Sequence, residues 1–363
     1  MKTIVIDGEY KGIEKYNDYW FVHKGDMEVP GNVRITINLI VEGDQTVKGD
    51  QIVEGDQIIE NYQLIEGTQL VYGDQLIKGN QRVDDDQTVK GYQRVEGYQN
   101  VYGYQRVTGY QKVYGDQIVE DSQLVDGDQL VDGDQRVEGD QTIEGIQIVE
   151  GYQTIEGNQI VKNYQRVDDD QTVNGYQIIE NDQLVRGAQR VDGFQRIKGY
   201  QRVEDSQRVY DYQIIEGNQR VYNFQIIEDN QTIEGNQIIE GKQRIEGSQK
   251  VKGYQKVYED QIIENSQLIK GAQRVDGFQK VNSEMEVLGL KTKFSLSIEQ
   301  EEYRLYFMSD LIKIGCQEHS PEEWKNFSDK EISDMDKGAL EWWNRWKKFV
   351  LNTHANLVKA YST

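Results

Sequence analysis

Cys316 and His319 are the pair whose types and spacing come nearest to covalent chemistry. A thiol three residues before an imidazole, across a strand-to-helix turn, would set a nucleophile beside its base. The plainer expectation is a buried thiol and a turn histidine. Metal binding by the pair lacks further ligands of suitable type nearby. The only other histidines are His23 and His354. Carboxylates are plentiful but repeat along an open surface, whereas acid–base catalysis needs a shielded pocket that shifts their pKa values. The glycines form no phosphate-binding loop. The sequence implies no metal, no cofactor and no enzyme. What dominates by spacing is glutamine, whose amide offers two donors and two acceptor lone pairs.

Those glutamines belong to an internal repeat. From Val41 to Lys280 the chain divides into forty hexads without insertion. Position one is Val or Ile, and position five is Gln, beginning with Gln45, Gln51, Gln57 and Gln63. Position three is Gly in 28 hexads and Asn, Asp or Glu in the rest. A six-residue period leaves no constant helical face, but it suits short strands joined by tight corners. Gln, a variable residue and Val/Ile make a three-residue strand, with Gln and Val/Ile facing inward and position six facing water. Small or Asn/Asp residues at position three are expected to turn the corner through positive φ. Forty inward amides would be untenable unpaired, at about 1–3 kcal/mol each. Stacking at about 4.8 Å resolves this if each amide donates to one neighbour and accepts from another.

The predicted fold is therefore all-β: a single-stranded β-solenoid of hexapeptide repeats, three-sided in preference to two-sided. Three hexads per turn would give about thirteen coils and roughly 60 Å of length. A flat two-hexad turn stays open, because the block at Arg82–Gln87 recurs at Arg166–Gln171, fourteen hexads on.

Composition narrows the class further. Hydrophobic content of 36% argues against a thick apolar core, while abundant Val, Ile and Tyr argue against disorder. A net charge of −22 disfavours direct contact with nucleic acid or anionic membrane. One cysteine excludes an internal disulfide framework. No signal peptide or membrane span is read, so the cytoplasm is the expected compartment.

The spacing resembles the left-handed hexapeptide-repeat proteins, many of them acyltransferases, with Gln where that family places a small residue. It is also similar to bactofilin-like and phage fibre-like solenoids, with Gln in place of an apolar residue. The acyltransferases use a histidine near a coil, and none of the three histidines here lies in the forty repeats. The run Ile314–Trp324 resembles a capping module of repeat proteins from phages and mobile elements.

A solenoid must protect its open ends. Residues 1–28, with Trp20-Phe21-Val22, read as a small β cap. Residues 29–292 read as the solenoid, the repeat phase trailing through Val281–Met285 and Val287–Gly289. Residues 293–363 read as an α-rich capping or partner-binding domain. There Tyr303–Phe307 and Leu311–Ile314 read as strands. Ser320 with Pro321 and Glu323, and Ser328 with Glu331, read as helix starts. A longer helix is expected over 337–359, with Leu340, Trp343, Val350 and Leu357 near one face. Trp342, Trp343 and Trp346 either pack against the last coil or form a partner-binding patch.

Three functions remain. The first is a non-enzymatic acidic rod that binds a protein partner, in its sharpest form a DNA mimic inhibiting a basic nucleic-acid-binding or defence enzyme. Its candidate contacts are Asp128, Asp134, Glu138, Asp140 and Glu144 besides the tryptophans. Alternatively, the acids only keep the chain soluble. The second is a structural or self-assembling element, a homodimer forming through the C-terminal domain or a solenoid face carrying Ile52, Ile58, Leu64, Leu70 and Leu76. The third is a hexapeptide-repeat acyltransferase.

Overall fold

The computed structural model describes residues 4–6, 13–17, 20–281, 285–287, 290–292, 295–300, 303–308 and 310–360. They divide into two compact units, one ending at Asp205 and the other beginning at Ser206.

In the first unit each hexad forms the expected strand, such as Gln45–Val47, Gln51–Val53 and Gln57–Ile59, with its first and third residues buried. Gln63–Ile65 pairs in parallel with Gln45–Val47 on one edge and Gln81–Val83 on the other, Gln opposite Gln. The same step of 18 residues joins Gln51, Gln69 and Gln87, and likewise Gln57, Gln75 and Gln93. Three hexads make a turn, and three parallel sheets result. The second unit repeats the step, with Gln207–Val209 on Gln225–Ile227, Gln213–Ile215 on Gln231–Ile233 and Gln219–Val221 on Gln237–Ile239.

A three-hexad turn settles what the duplicated block left open. The strand of Arg82 lies in one sheet and that of Arg166 in another. The block changed face because all hexads are interchangeable.

Within the stack the amides satisfy one another. Gln117 Nε2 donates to Gln99 Oε1 at 2.8 Å and Gln105 Oε1 at 3.1 Å. Its Oε1 accepts from Gln135 Nε2 at 2.9 Å and Gln129 Nε2 at 3.1 Å. One bond of each kind runs straight along a column and the other crosses to the neighbouring sheet, so three ladders are laced into one network. Val and Ile close the space beside it. Toward the N-terminus the columns end on Met27, Val33 and Leu39. There Gln45 Nε2 meets Met27 Sδ at 3.7 Å, and Gln51 Nε2 is left without a partner.

The corners work differently from the expectation. Among the described glycines only Gly25, Gly315 and Gly338 have positive φ, and none is a position-three glycine of the repeats. Close approach of stacked corners is what favours glycine: a Cβ on Gly115 would lie 2.9 Å from the carbonyl carbon of Gly97. The next amide is capped by a side chain. Tyr62 N donates to Asp44 Oδ1 at 3.1 Å, and Tyr98 N to Asn80 Oδ1 at 2.9 Å, each 18 residues back. Where the corner below carries Thr68, Tyr104 or Tyr152, an Asp at position three takes over. Asp85, Asp121 and Asp169 accept from Asp86 N, Ser122 N and Asp170 N at 2.7–3.0 Å.

Parallel pairing begins before the repeats. Ile4–Ile6 lies on Val33–Ile35, Trp20–His23 on Asn38–Val41, and Met27–Val29 on Gln45–Val47, while Ile13–Asn17 folds antiparallel onto Trp20–His23.

In the second unit Met285–Val287 continues the parallel step. Ser295–Gln300 then turns antiparallel to Gln279–Val281 and leads into Tyr303–Met308, Ile312–Ile314 and Gln317–His319. Three helices follow: α1 Pro321–Asn326, α2 Asp329–Met335 and α3 Ala339–Ala360. Both expected capping boxes are present, at Ser320/Glu323 and Ser328/Glu331. Leu340, Trp343 and Val350 face the cap's core. Residues 282–284, 288 and 289 of the trailing repeat, and the side chain of Leu357, lie outside the described residues.

Candidate partner-binding surface

The candidate acids lie at two kinds of position. Asp128, Asp134 and Asp140 are corner residues, and each has a structural task as well as a charge. Their Oδ1 atoms accept from Ile146 N at 2.8 Å, Tyr152 N at 2.9 Å and Asn158 N at 2.8 Å. Glu138 and Glu144 follow the strands. Glu138 pairs with Arg136 at 2.9 Å, and Glu144 pairs with Lys162, whose ammonium is held above its ordinary pKa chiefly by that hydrogen bond. Asp128, Asp134, Glu138 and Asp140 are exposed and Glu144 is half-buried. The capping role was legible as Asp or Asn recurring at position four, but only the 18-residue stacking reveals the amide it serves.

Charge is unevenly spread over the turns. Residues 113–160 hold twelve acids and one base, Arg136, a net −11 that is half of the chain's −22. Glu120, Glu138 and Glu156 directly follow strands stacked in register, so they form a column at about 4.8 Å spacing. Some columns elsewhere alternate in sign, Lys78 pairing with Glu60 at 2.6 Å and Lys198 with Glu180 at 3.1 Å. In the second unit Glu228, Glu246 and Glu264 also stack without a lysine between them, but Arg208 and Arg244 on the adjoining strands pair with them. The preceding residues 89–112 contrast in composition, with Lys90, Arg94, Arg106 and Lys112 among five tyrosines and one acid. There Lys90 sits 4.0 Å from the Tyr72 ring centre, Lys112 at 4.0 Å and Arg94 at 5.0 Å from that of Tyr114.

The apolar run does not share a face. Ile52 and Leu70 stand on one sheet, Ile58 and Leu76 on a second, and Leu64 between Thr46 and Arg82 on the third. Three strands per turn deal consecutive outward residues to different sides.

The tryptophans are placed by burial. Trp342 and Trp343 are 5% and 3% exposed, in a core with Leu305, Phe307, Ile312, Trp324, Ile332 and Val350; Trp346 is partly buried against it. Their described neighbours are cap residues, not the last coil, and the two buried rings present no docking patch. The cap draws on them because α1 and α2, of six and seven residues, bury one side chain each, Trp324 and Ile332.

Cys316 is exposed, which corrects the expected buried thiol: it sits in the turn between two short strands. His319 packs edge-on against Trp324 and Phe327, at 5.2 and 4.8 Å between ring centres, with Nε2 3.4 Å from Gln317 Oε1. No hydrogen bond joins thiol and imidazole among the described residues. His354 Nε2 lies 2.8 Å from Met308 O and His23 Nε2 2.7 Å from Asp26 O, so each ring engages a backbone carbonyl. Among the described residues no cluster of three His, Cys, Asp or Glu is placed to hold a metal ion, and no helix is long and apolar enough to cross a membrane.

No protein-family model, no curated protein and no solved structure matches this chain.

Proposed function

We propose that this protein is a non-catalytic binding solenoid whose acidic turns, residues 113–160, engage a cationic protein partner. The observation that carries the reading is the belt's composition, twelve acids against the single base Arg136, with Glu120, Glu138 and Glu156 stacked within it. Like charges stacked directly across neighbouring strands oppose folding, and a chain selected only for stability would offset them with bases, as this one does at Lys78/Glu60 and Lys198/Glu180 and with Arg208 and Arg244 beside Glu228, Glu246 and Glu264. Solubility needs net charge, not its concentration in one belt. A column of carboxylates on a parallel solenoid is a fit for the basic groove of a nucleic-acid-binding enzyme. In this form the protein is a DNA mimic, acting in the cytoplasm as inhibitor of a defence or DNA-processing enzyme, and the resemblance of its tail to phage and mobile-element caps points the same way.

The test is capture of partners from the native host at low and high salt, followed by competition. Binding that weakens with salt, is displaced by duplex DNA and is lost in the triple variant Glu120→Lys/Glu138→Lys/Glu156→Lys supports the proposal. Binding that survives the triple variant removes the acidic belt from it. Copies that associate with one another while no cationic protein binds return the structural, self-assembling reading.

A further inference from the structure

The acidic turns do not present the same surface on all sides. Each of their three faces is a column of outward strand centres, stacked in register. On one face Arg136 stands between Ile118 and Thr154. On the second, Leu130 and Ile148 are bounded by Lys112 and Arg166. On the third, Leu124, Thr142, Ile160 and Ile178 follow one another with no charge between them. All four are half-buried, and at about 4.8 Å per step the stripe runs for about 14 Å.

The carboxylate column borders this third face. Glu120 lies at the corner between strand Gln117–Val119, on the Arg136 face, and strand Gln123–Val125, on the face of Leu124. Glu138 and Glu156 stack on the same corner. Approach from one side meets the Arg136 guanidinium, which pairs with Glu138 at 2.9 Å and repels a second cation. Approach from the other side meets the apolar stripe, with the exposed Asp140 at its edge. The far edge of the stripe carries Asp126 and Glu144, which already pair with Arg106 and Lys162. The surface is one-sided: carboxylates along one edge, apolar side chains beside them, neutralised pairs beyond.

We infer that the cationic partner docks through a basic amphipathic helix laid along the solenoid axis. Its apolar stripe covers Leu124, Thr142 and Ile160, and its lysines or arginines meet Glu120, Glu138 and Glu156. This rests on the acidic-belt reading above and specifies the element that the partner presents. The spacing selects a helix. Apolar residues three or four apart on a helix recur about every 5.4 Å, close to one per rung, and the stripe takes about ten helical residues. Same-face residues of a strand recur at about 6.8 Å and fall out of step by the second rung. Covering the stripe removes apolar surface that a purely ionic contact leaves in water. Part of the binding therefore resists salt, which screens only the charges.

The experiment titrates the full chain with two synthetic helical peptides of about fifteen residues and equal charge. One carries lysines beside a leucine stripe of helical spacing; the other has glutamine in place of leucine. Binding is read by calorimetry at low and high salt. The lysine–leucine peptide should bind about tenfold more tightly, and its advantage should widen with salt. In Leu124→Thr/Ile160→Thr that advantage should largely disappear; threonine already occupies the same strand position at Thr142, so the fold is kept. The matching change on the neighbouring face, Leu130→Thr/Ile148→Thr, should leave it intact. Equal affinity of the two peptides overturns the inference while leaving the acidic belt as a cation site. So does an advantage that survives Leu124→Thr/Ile160→Thr or is lost in Leu130→Thr/Ile148→Thr. Dimers of the chain that this first double variant separates assign the stripe to a second copy and overturn it as well. Absence of binding by either peptide at low salt, or binding of both that survives Glu120→Lys/Glu138→Lys/Glu156→Lys, removes the acidic-belt reading itself.

Discussion

The turns of the first unit and the C-terminal cap solve the same problem by opposite means. The turns bury an amide in every hexad and depend on identical neighbours to satisfy it. The cap buries large rings, with Trp324, Trp342 and Trp343 at its centre and one indole donor unpaired. A repeated polar core is stable only as a lattice, since each member's partners are copies of itself. A unique aromatic core needs no register but must be filled by shape. The lattice tolerates duplication and movement of blocks between faces; the cap tolerates neither.

The sharpest way to break the contrast is Gln117→Leu. It strips one acceptor each from Gln129 and Gln135, both fully buried. At about 1–3 kcal/mol for each unpaired group, the turns around it should lose roughly 2–6 kcal/mol. Circular dichroism of the strands should show that loss in urea. Tryptophan fluorescence, which reports mainly on the cap because four of the five tryptophans lie there, should change little. Trp324→Ala inverts the pattern. A lost buried ring costs about 3–5 kcal/mol, and the cap should melt early while the strand signal persists.

Smaller effects test the corners. Gly115→Ala forces a methyl against Gly97 and should cost about 1–3 kcal/mol by overpacking. Asp134→Ala removes the acceptor of Tyr152 N and should cost about 1 kcal/mol, whereas Asp134→Asn, which keeps the oxygen, should restore most of the stability. The least of these effects is the pH response of the cap. Hydrogen bonds from Ser320, backbone first and hydroxyl second, hold Glu323 below its usual carboxylate pKa; Ser328, hydroxyl first, does the same for Glu331. A depressed folded pKa gives stability that is present above the unfolded value and is lost as pH falls through the folded one. The helical signal of α1 and α2 should therefore weaken slightly below about pH 4, and this response should shrink without vanishing in Ser320→Ala/Ser328→Ala, which removes the hydroxyls but keeps the backbone N–H donors.

Much of this protein is local and therefore readable in one dimension. Strand position, the inward pairing of Gln with Val or Ile, and both capping boxes depend on residues at most six apart, so the sequence alone determined them. The need for an amide ladder also followed, because a buried amide has no other affordable state in a chain with so little apolar volume. Closure of the turn after three hexads was not local, since alternation is satisfied by two sides or three. That one tertiary choice decided the rest: which outward residues share a face, why Ile52, Ile58 and Leu64 do not, which amide Asp134 caps, and why position three favours glycine without a positive φ. The cap lies further from its sequence still. Its rings could pack inward or outward with equal local logic, and only the assembled core turned Trp342 and Trp343 inside.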